Sequence, residues 1–546
     1  NRSRKAIYQE NNDLIFMKYT SLKKLRVIIS IVFFVLITLV FIDYRNILPE
    51  EFTRGVLYLQ FIPSLLKFIN LLSVSVVGFI VVLVLTILFG RVYCSSICPL
   101  GVYMDVVFFI SRKLKKKKKR FRYKEPQNIL RYFLLAVTVI FFTAGSIYFI
   151  LLLDPYSNFG RIITYFVNPV IILVNNDVAG ILENFNIYAI FPVEIQNVRF
   201  ELWIYPMLFL ILVTWMSFTD GRLFCNTICP VGTLLGLLSR FSWFKIRFDK
   251  ENCTLCGRCT QVCKSDCLDY KEQIVDYSRC VECFNCLPVC TSDAIKYTYK
   301  KIGDHNAGDT KIKVDSLPND YDKNKRKFLT LLLSVFAGSA IGSIKQDTQE
   351  EYKDSTVPEE KEFPVTPPGS LSIRNFTHNC TACSLCVSAC PSDVLQPSFN
   401  EYGLSGMMQP YMDYHTGYCN FECTRCSEVC PTGAILPVPE DEKKRIQMGI
   451  AKFVKENCIV HTEKTDCGAC SEHCPTKAVK MVPYEGDLLI PEVTDDICVG
   501  CGACEFACPT TPFKAIYVDG HSIHEIAKEP EEEELEKPVD EDEFPF

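Results

Sequence analysis

The residues that could do chemistry are cysteines, and their spacing is regular. Cys253-Thr-Leu-Cys256-Gly-Arg-Cys259-Thr-Gln-Val-Cys263 is followed by Cys280-Val-Glu-Cys283-Phe-Asn-Cys286-Leu-Pro-Val-Cys290. The pattern C-x2-C-x2-C-x3-C is thus written twice. Three close thiolates wrap three irons of a cubane, and the fourth thiolate serves the neighbouring cube, because the chain must leave one cube before it can reach round. This assigns Cys253, Cys256, Cys259 and Cys290 to one [4Fe-4S] cluster, and Cys280, Cys283, Cys286 and Cys263 to its twin. Zinc takes four ligands, usually as two well-separated pairs. A third cysteine at x2 spacing serves it poorly. The chemistry expected is one-electron transfer.

The pattern returns after residue 373. Cys380, Cys383, Cys386 and Cys390 form one quartet, and Cys419, Cys423, Cys426 and Cys430 a second. Cys458, Cys467, Cys470 and Cys474 form a third, with its first gap widened to eight residues, and Cys498, Cys501, Cys504 and Cys508 a fourth. Sixteen thiolates suit four more cubanes, which makes six in all. Their pairing stays open between a tandem (first with second, third with fourth) and a nested form (first with fourth, second with third). Of the 29 cysteines, Cys267 is left over and is expected to be dispensable. Spacing of this kind excludes a disulfide scaffold. The first of the seven histidines is His305, and no C-x-x-C-H motif occurs, so no haem is expected. No nucleophile–base pair, phosphate loop or substrate-pocket motif is visible.

The remaining four cysteines lie in a repeat. Gly90-Arg91-Val92-Tyr93-Cys94-Ser95-Ser96-Ile97-Cys98-Pro99-Leu100-Gly101 matches Gly221-Arg222-Leu223-Phe224-Cys225-Asn226-Thr227-Ile228-Cys229-Pro230-Val231-Gly232 at seven of twelve positions. Each copy holds C-x3-C-P, where the proline breaks a helix and frees backbone amides. Pseudo-twofold pairing would bring Cys94, Cys98, Cys225 and Cys229 together at one further iron–sulfur site. A dithiol switch and buried structural thiols are the competing readings.

Apolar stretches must position these motifs. Residues 25–42, 71–89, 129–153 and 202–218 read as spans of a hydrocarbon core roughly 30 Å thick. Residues 162–192 are also apolar but are interrupted by Pro169, Asn175, Asn176 and Asp177, and read as interfacial or re-entrant. Ten Lys/Arg between Arg112 and Lys124 put that loop on the inner side. Its place between two spans favours topology and lipid contact over nucleic acid. Asp105, in the apolar stretch after the first motif, and Asp154 and Tyr156, at the outer end of the third span, are candidate quinol contacts; for Asp105 the competing reading, and the favoured one, is a place on an interfacial helix facing the cytoplasm beside the Lys run.

The resulting fold class is a membrane α-helical bundle, four spans in two repeats plus a fifth, carrying α+β ferredoxin-like domains. Residues 1–245 form the membrane domain with both C-x3-C-P motifs, and 246–300 a two-cluster domain. Residues 301–322 are a linker, 323–345 a signal-like membrane helix, and 346–372 another linker. Residues 373–520 form a four-cluster domain and 521–546 an acidic tail. Lys325-Arg326-Lys327-Phe328-Leu329 resembles a twin-arginine export signal with Lys-Arg in place of Arg-Arg.

On these motifs residues 20–300 resemble the membrane-bound ferredoxin-type protein of periplasmic nitrate reductase systems. Residues 323–520 resemble its exported ferredoxin-type partner, so the chain is similar to a fusion of the two within the C-x3-C-P polyferredoxins. The resemblance implies a quinol dehydrogenase component in a bacterial cytoplasmic membrane. The N-terminus and residues 246–300 would be cytoplasmic, and residues 346–546 periplasmic. Quinol or a cytoplasmic donor would supply electrons to a periplasmic reductase or cytochrome. A cofactor-maturation or metal-reductase polyferredoxin would need an added copper-handling domain, and a thiol redox sensor would not need six clusters.

Overall fold

The computed structural model describes residues 2–71, 77–114, 123–193, 200–299 and 356–529. The expectations for 115–122, 301–355 and the tail beyond 529, including the signal-like helix, lie outside the described residues. Thirteen α-helices precede the first strand among the described residues. They are α1 (Arg2–Ile42), α2 (Glu50–Leu57), α3 (Phe61–Leu71), α4 (Gly78–Phe89), α5 (Val92–Ser96), α6 (Pro99–Leu114), α7 (Asn128–Thr143), α8 (Tyr148–Leu153), α9 (Pro155–Ile162), α10 (Asn168–Glu183), α11 (Phe200–Asp220), α12 (Leu223–Thr227) and α13 (Pro230–Ser239).

Among the described residues three helical stretches are long and apolar enough to cross a membrane: Thr20–Ile42, Pro155–Glu183 and Glu201–Asp220. Their outer faces are apolar in the way lipid requires. Leu25, Ile28, Ile31, Val32, Val35 and Leu39 on α1 are exposed, as are Met207, Leu208, Ile211 and Trp215 on α11. A continuous apolar belt of this kind marks contact with membrane or protein rather than water.

Two expected spans and one expected interfacial stretch differ from what forms. The 71–89 stretch yields a 12-residue helix, α4. The 129–153 stretch breaks around Gly145, whose φ of +85° lies in the left-handed region, and continues as the short α8. Residues 162–192, expected to be interfacial or re-entrant, instead supply residues 162–183 of a continuous helical stretch from Pro155 to Glu183. Pro169 is accommodated because a π-turn at Ile163–Val167 precedes it and the proline falls in the first turn of α10, where a missing amide costs nothing.

The chain enters the bundle twice more in hairpins. α2 and α3 turn at Tyr58–Gln60, and both reach the distal unit at their far ends: α2 packs on helix Arg425–Val429, and Asn70 Nδ2 meets the Thr432 carbonyl at 3.5 Å. α8 and α9 turn at Asp154, with Arg161 opposite Leu151. Phe159 and Tyr156 then pack on Phe34 and Phe41 of α1. In both halves of the repeat the order is therefore long helix, hairpin, returning helix, C-x3-C-P.

Beyond the bundle, β1 (Lys245–Phe248) pairs with β4 (Ile295–Thr298), and β2 (Leu268–Asp269) with β3 (Ile274–Val275), all antiparallel. In the distal unit β5 (Leu395–Pro397) pairs with β6 (Pro410–Met412), β7 (Ile446–Phe453) with β10 (Ile516–Ile526), and β8 (Val479–Pro483) with β9 (Leu489–Val493). Residues 356–372, the described part of the second expected linker, lie along this unit. The amides of Glu362 and Phe363 donate to Asp519 Oδ1, and Gly520 donates to the Phe363 carbonyl.

α1 measures the separation of the two units. Leu22 packs into the core of the 245–299 unit, whereas Asn46, just past the other end, donates to the Ala389 carbonyl of the distal unit. Leu22 to Ile42 rises roughly 30 Å at 1.5 Å per residue.

Candidate metal centres

The thiol loops are pre-shaped. In four of them the residue before the second cysteine and the residue after it both have positive φ. The pairs are Leu255 and Gly257, Glu282 and Phe284, Ala382 and Ser384, and Gly500 and Gly502. Non-glycine residues adopt this region at a cost. Alternation of this kind turns successive amides into one concavity, the nest that holds anionic iron–sulfur groups. The two loops without the pair of positive φ values are those whose first gap departs from x2, Cys419–Cys423 and Cys458–Cys467.

The folded chain brings thiols together in sets. Cys253, Cys256, Cys259 and Cys290 line one pocket, and Cys458, Cys467, Cys470 and Cys508 line another. Cys286 feels Cys280, Cys283 and Cys263 electrostatically. Cys386 feels Cys380, Cys383 and Cys430, while Cys426 feels Cys419, Cys423 and Cys390. Cys504 feels Cys501, Cys498 and Cys474. The first distal quartet thus exchanges its fourth thiol with the second, and the third with the fourth, which is the tandem arrangement. All 29 cysteines are free thiols. Donor type, number and loop shape fit a cubane at each set.

Cys267 is not remote. Its Sγ lies 3.5 Å from Cys263 Sγ. That contact holds the Cys263 thiol down to about 6 against the effect of its burial.

Cys94, Cys98, Cys225 and Cys229 also converge, each within electrostatic reach of others across the repeat. Two buried arginines cross over to build the site. Arg91 Nη2 donates to the Cys225 carbonyl at 3.2 Å and stands 3.8 Å from Cys94 Sγ, and Arg222 Nη1 donates to the Cys94 carbonyl. Gly101 and Gly232 make room: a Cβ on either would lie 2.3 Å from the carbonyl of Cys94 or Cys225 and 2.8 Å from the crossing guanidinium. Gly232 N donates to Cys229 Sγ at 3.3 Å, as the proline-broken helix start allows. Among the described residues Arg91 has no carboxylate partner and is held by Asn226, Ser278 and Cys225. A buried cation of this kind is complemented by anionic sulfur.

The same site is bolted to the 245–299 unit. Arg91 and Arg131 both donate to the Ser278 carbonyl, at 2.9 and 2.8 Å. Asp105 receives Arg26 at 3.1 Å, Arg222 at 2.8 Å and Lys264 at 2.7 Å. Burial works to raise its pKa, but Arg222, Lys264 and Arg26 outweigh burial and hold the carboxyl well below the usual range. Asp105 is therefore an ion-pair hub tying α1, α6 and α12 to Lys264, and a group held ionised this firmly does not take up protons near neutral pH.

Asp154 caps α9, accepting from Ser157 N at 2.8 Å and Ser157 Oγ at 2.7 Å. Tyr156 follows it, buried, within reach of Cys383 and Cys430. Sequence reasoning missed Arg91, Arg222, Arg161, Gln60 and Tyr93. The first two were visible as identical residues at the head of both repeat copies, and Arg161 and Gln60 as polar residues within apolar runs.

A family model described as a 4Fe-4S binding domain matches residues 72–117 and 202–251, which contain both C-x3-C-P motifs. One described as a 4Fe-4S dicluster domain matches 379–434 and 465–511. The methylamine utilization ferredoxin-type protein MauM of Methylophilus methylotrophus is 38% identical over 99 residues, 17% of this chain and 42% of its own length. The ferredoxin-type protein NapG of Escherichia coli is 31% identical over 141 residues, 25% of this chain and 56% of its own. An uncharacterized protein of Methanocaldococcus jannaschii is 25% identical over 219 residues, 39% of this chain and 69% of its own. No solved structure matches the chain. Cysteine spacing, loop geometry and these relatives agree: the chain carries ferredoxin-type 4Fe-4S domains and is similar to polyferredoxin-like proteins.

Proposed function

We propose that the chain is a membrane-bound electron-transfer protein that draws electrons from quinol, or from a donor on the side of residues 245–299, and delivers them to a reductase or cytochrome on the side of residues 356–529. Bound at the thiol sets, six [4Fe-4S] clusters, with a further iron–sulfur centre at the C-x3-C-P cysteines, would supply one-electron transfer.

The observation that carries this reading is the order of the thiol sets. The Cys253 and Cys280 sets share one small unit. Lys264 lies within reach of both Cys283 and Asp105, which leads to the C-x3-C-P thiols. Tyr93 and Tyr156 stand between Cys98 and Cys383. In the distal unit Cys386 reaches Cys426, Cys419 N donates to the Cys501 carbonyl at 2.9 Å, and Cys474 and Cys508 interlock the last two sets. The line runs from one end of α1 to the other and beyond. Its two terminal sets hold cysteines that reach the surface, Cys253 and Cys256 in one and Cys467 and Cys470 in the other, where a partner's redox group could approach.

The basic residues around Arg112–Lys124 favour a cytoplasmic 245–299 unit, and the span-length α1 then favours a periplasmic distal unit in a bacterial cytoplasmic membrane. Reporter fusions after residues 118, 310 and 540 test this, and a cytoplasmic signal at 540 would overturn it. Anaerobic purification with iron and sulfide analysis tests the metal content, and a zinc-dominated sample would overturn it.

A further inference from the structure

The tips of the two hairpins lie to either side of Tyr93. One tip is Gln60, the other Asp154 with Tyr156, and Tyr93 lies between them. The Tyr93 hydroxyl accepts from Phe61 N at 3.3 Å and lies 3.4 Å from Gln60 Oε1. It is within electrostatic reach of both Asp154 and Cys98. Tyr156 packs on Phe41, ring centroids 5.6 Å apart, and is within reach of Tyr93, Asp154 and Cys383. None of Gln60, Tyr93, Asp154 and Tyr156 is more than 1% exposed.

Two polar atoms at this junction have no partner among the described residues: Gln60 Nε2 and Tyr156 Oη. A fully buried amide and a fully buried hydroxyl both normally find one, and each goes unpaired at a cost. Helices interrupted inside a bilayer persist where the freed backbone is buried in protein or lines a site. Paired interruptions at corresponding places of a repeat mark ligand sites at the repeat interface. Here the interruptions, the orphan atoms and the pseudo-twofold relation coincide.

We infer that the junction of the two hairpin tips is the headgroup site for a membrane hydroquinone, with Gln60 Nε2 and Tyr156 Oη as its hydrogen-bonding partners. The inference rests on the quinol reading above. It goes further by fixing the place and by adding Gln60 and Tyr93 to Asp154 and Tyr156. The site lies between two acceptors, since Tyr93 faces Cys98 and Tyr156 faces Cys383. Oxidation breaks two phenolic O–H bonds and releases two electrons and two protons, leaving the quinone. Iron–sulfur centres held by the C-x3-C-P thiols and by the Cys380 set would supply the two one-electron acceptors. The protons leave to water, the Asp154 carboxylate being the first acceptor within reach of both tyrosines.

The test uses the full chain, purified anaerobically in detergent, with menadiol as reductant and heptyl-hydroxyquinoline N-oxide as a non-reacting headgroup analogue. Wild type, Gln60→Leu and Tyr156→Phe are compared for bleaching by menadiol, bleaching by dithionite, and quenching of the analogue's fluorescence. The expected result is at least a tenfold loss of menadiol bleaching rate and of analogue affinity in both variants, with dithionite bleaching unchanged. Tyr156→Phe removes one oxygen atom, so it decides the matter if Gln60→Leu fails to assemble. Variants that bind the analogue and bleach like wild type overturn this site while the quinol reading stands. A wild type that menadiol does not bleach, but that a reduced low-potential ferredoxin does, overturns both.

Discussion

Arg161 Nε donates to the Ala382 carbonyl at 2.7 Å. The donor belongs to a helix of the bundle, and the acceptor sits in the Cys380–Cys383 loop of the distal unit. The same guanidinium reaches the carbonyls of Thr381 at 3.0 Å and Leu151 at 2.8 Å, and Tyr205 covers its face. Arg161 thus closes the gap between the membrane domain and the first distal thiol set.

Replacing Arg161 by Met should loosen that junction. It leaves the three carbonyls unpartnered, at about 1–3 kcal/mol for each one that stays buried. The expected outcome is faster limited proteolysis between residues 299 and 356 and release of the distal unit in detergent, with its own iron content retained. A Met variant as protease-resistant as wild type would show that apolar contacts alone hold the units together.

Asp105→Asn should be severe. It leaves Arg26, Arg222 and Lys264 buried without their shared anion, and removing one partner of a buried ion pair costs about 3–5 kcal/mol. Denaturant unfolding in detergent should shift by that order. Asp105→Glu should recover part of the loss.

The C-x3-C-P thiols should account for iron beyond the roughly 24 atoms expected of six cubanes. Replacing Cys94 and Cys229 by Ala should lower the count toward that value and leave the six ferredoxin-type signals in place. Cys267→Ser should leave the count unchanged, because Cys267 lies outside the quartets. It should nevertheless alter the redox titration of the Cys280 set, since Cys267 touches Cys263 at 3.5 Å.

His524 gives the distal unit a pH dependence. Burial, with a further push from His521, lowers its pKa from 6.5 to about 4. Its Nε2 lies 2.7 Å from Thr366 Oγ1, on the strap of residues 356–372. The folded state keeps the ring neutral while the unfolded chain protonates it at about 6.5. The contribution is therefore complete above pH 6.5 and is lost as pH falls from 6.5 toward 4, about 3 kcal/mol in total. Denaturation of the distal unit at pH 7 and pH 4.5 should reveal the difference, and His524→Gln should flatten it.

The sequence by itself determined which cysteines act together locally. Three thiolates at x2 spacing lie within reach of one cube whatever the rest of the chain does, so the quartets at Cys253, Cys280, Cys380 and Cys498 were legible from the residues alone. The repeat around Cys94 and Cys225 was legible for the same reason, as was the apolar length of α1. Tertiary structure decided what local spacing leaves open. The partner of each fourth thiol depends on which turn packs back on which, and β7 pairing with β10 encloses the third and fourth distal quartets while the first and second interlock beside them. The break near Gly145 and the turn at Asp154 were hidden because hydropathy measures length in an apolar phase and not direction. Gln60 and Arg161 were hidden because a polar residue in an apolar run declares its cost in the sequence, but its partner, or the lack of one, exists only after the chain has packed.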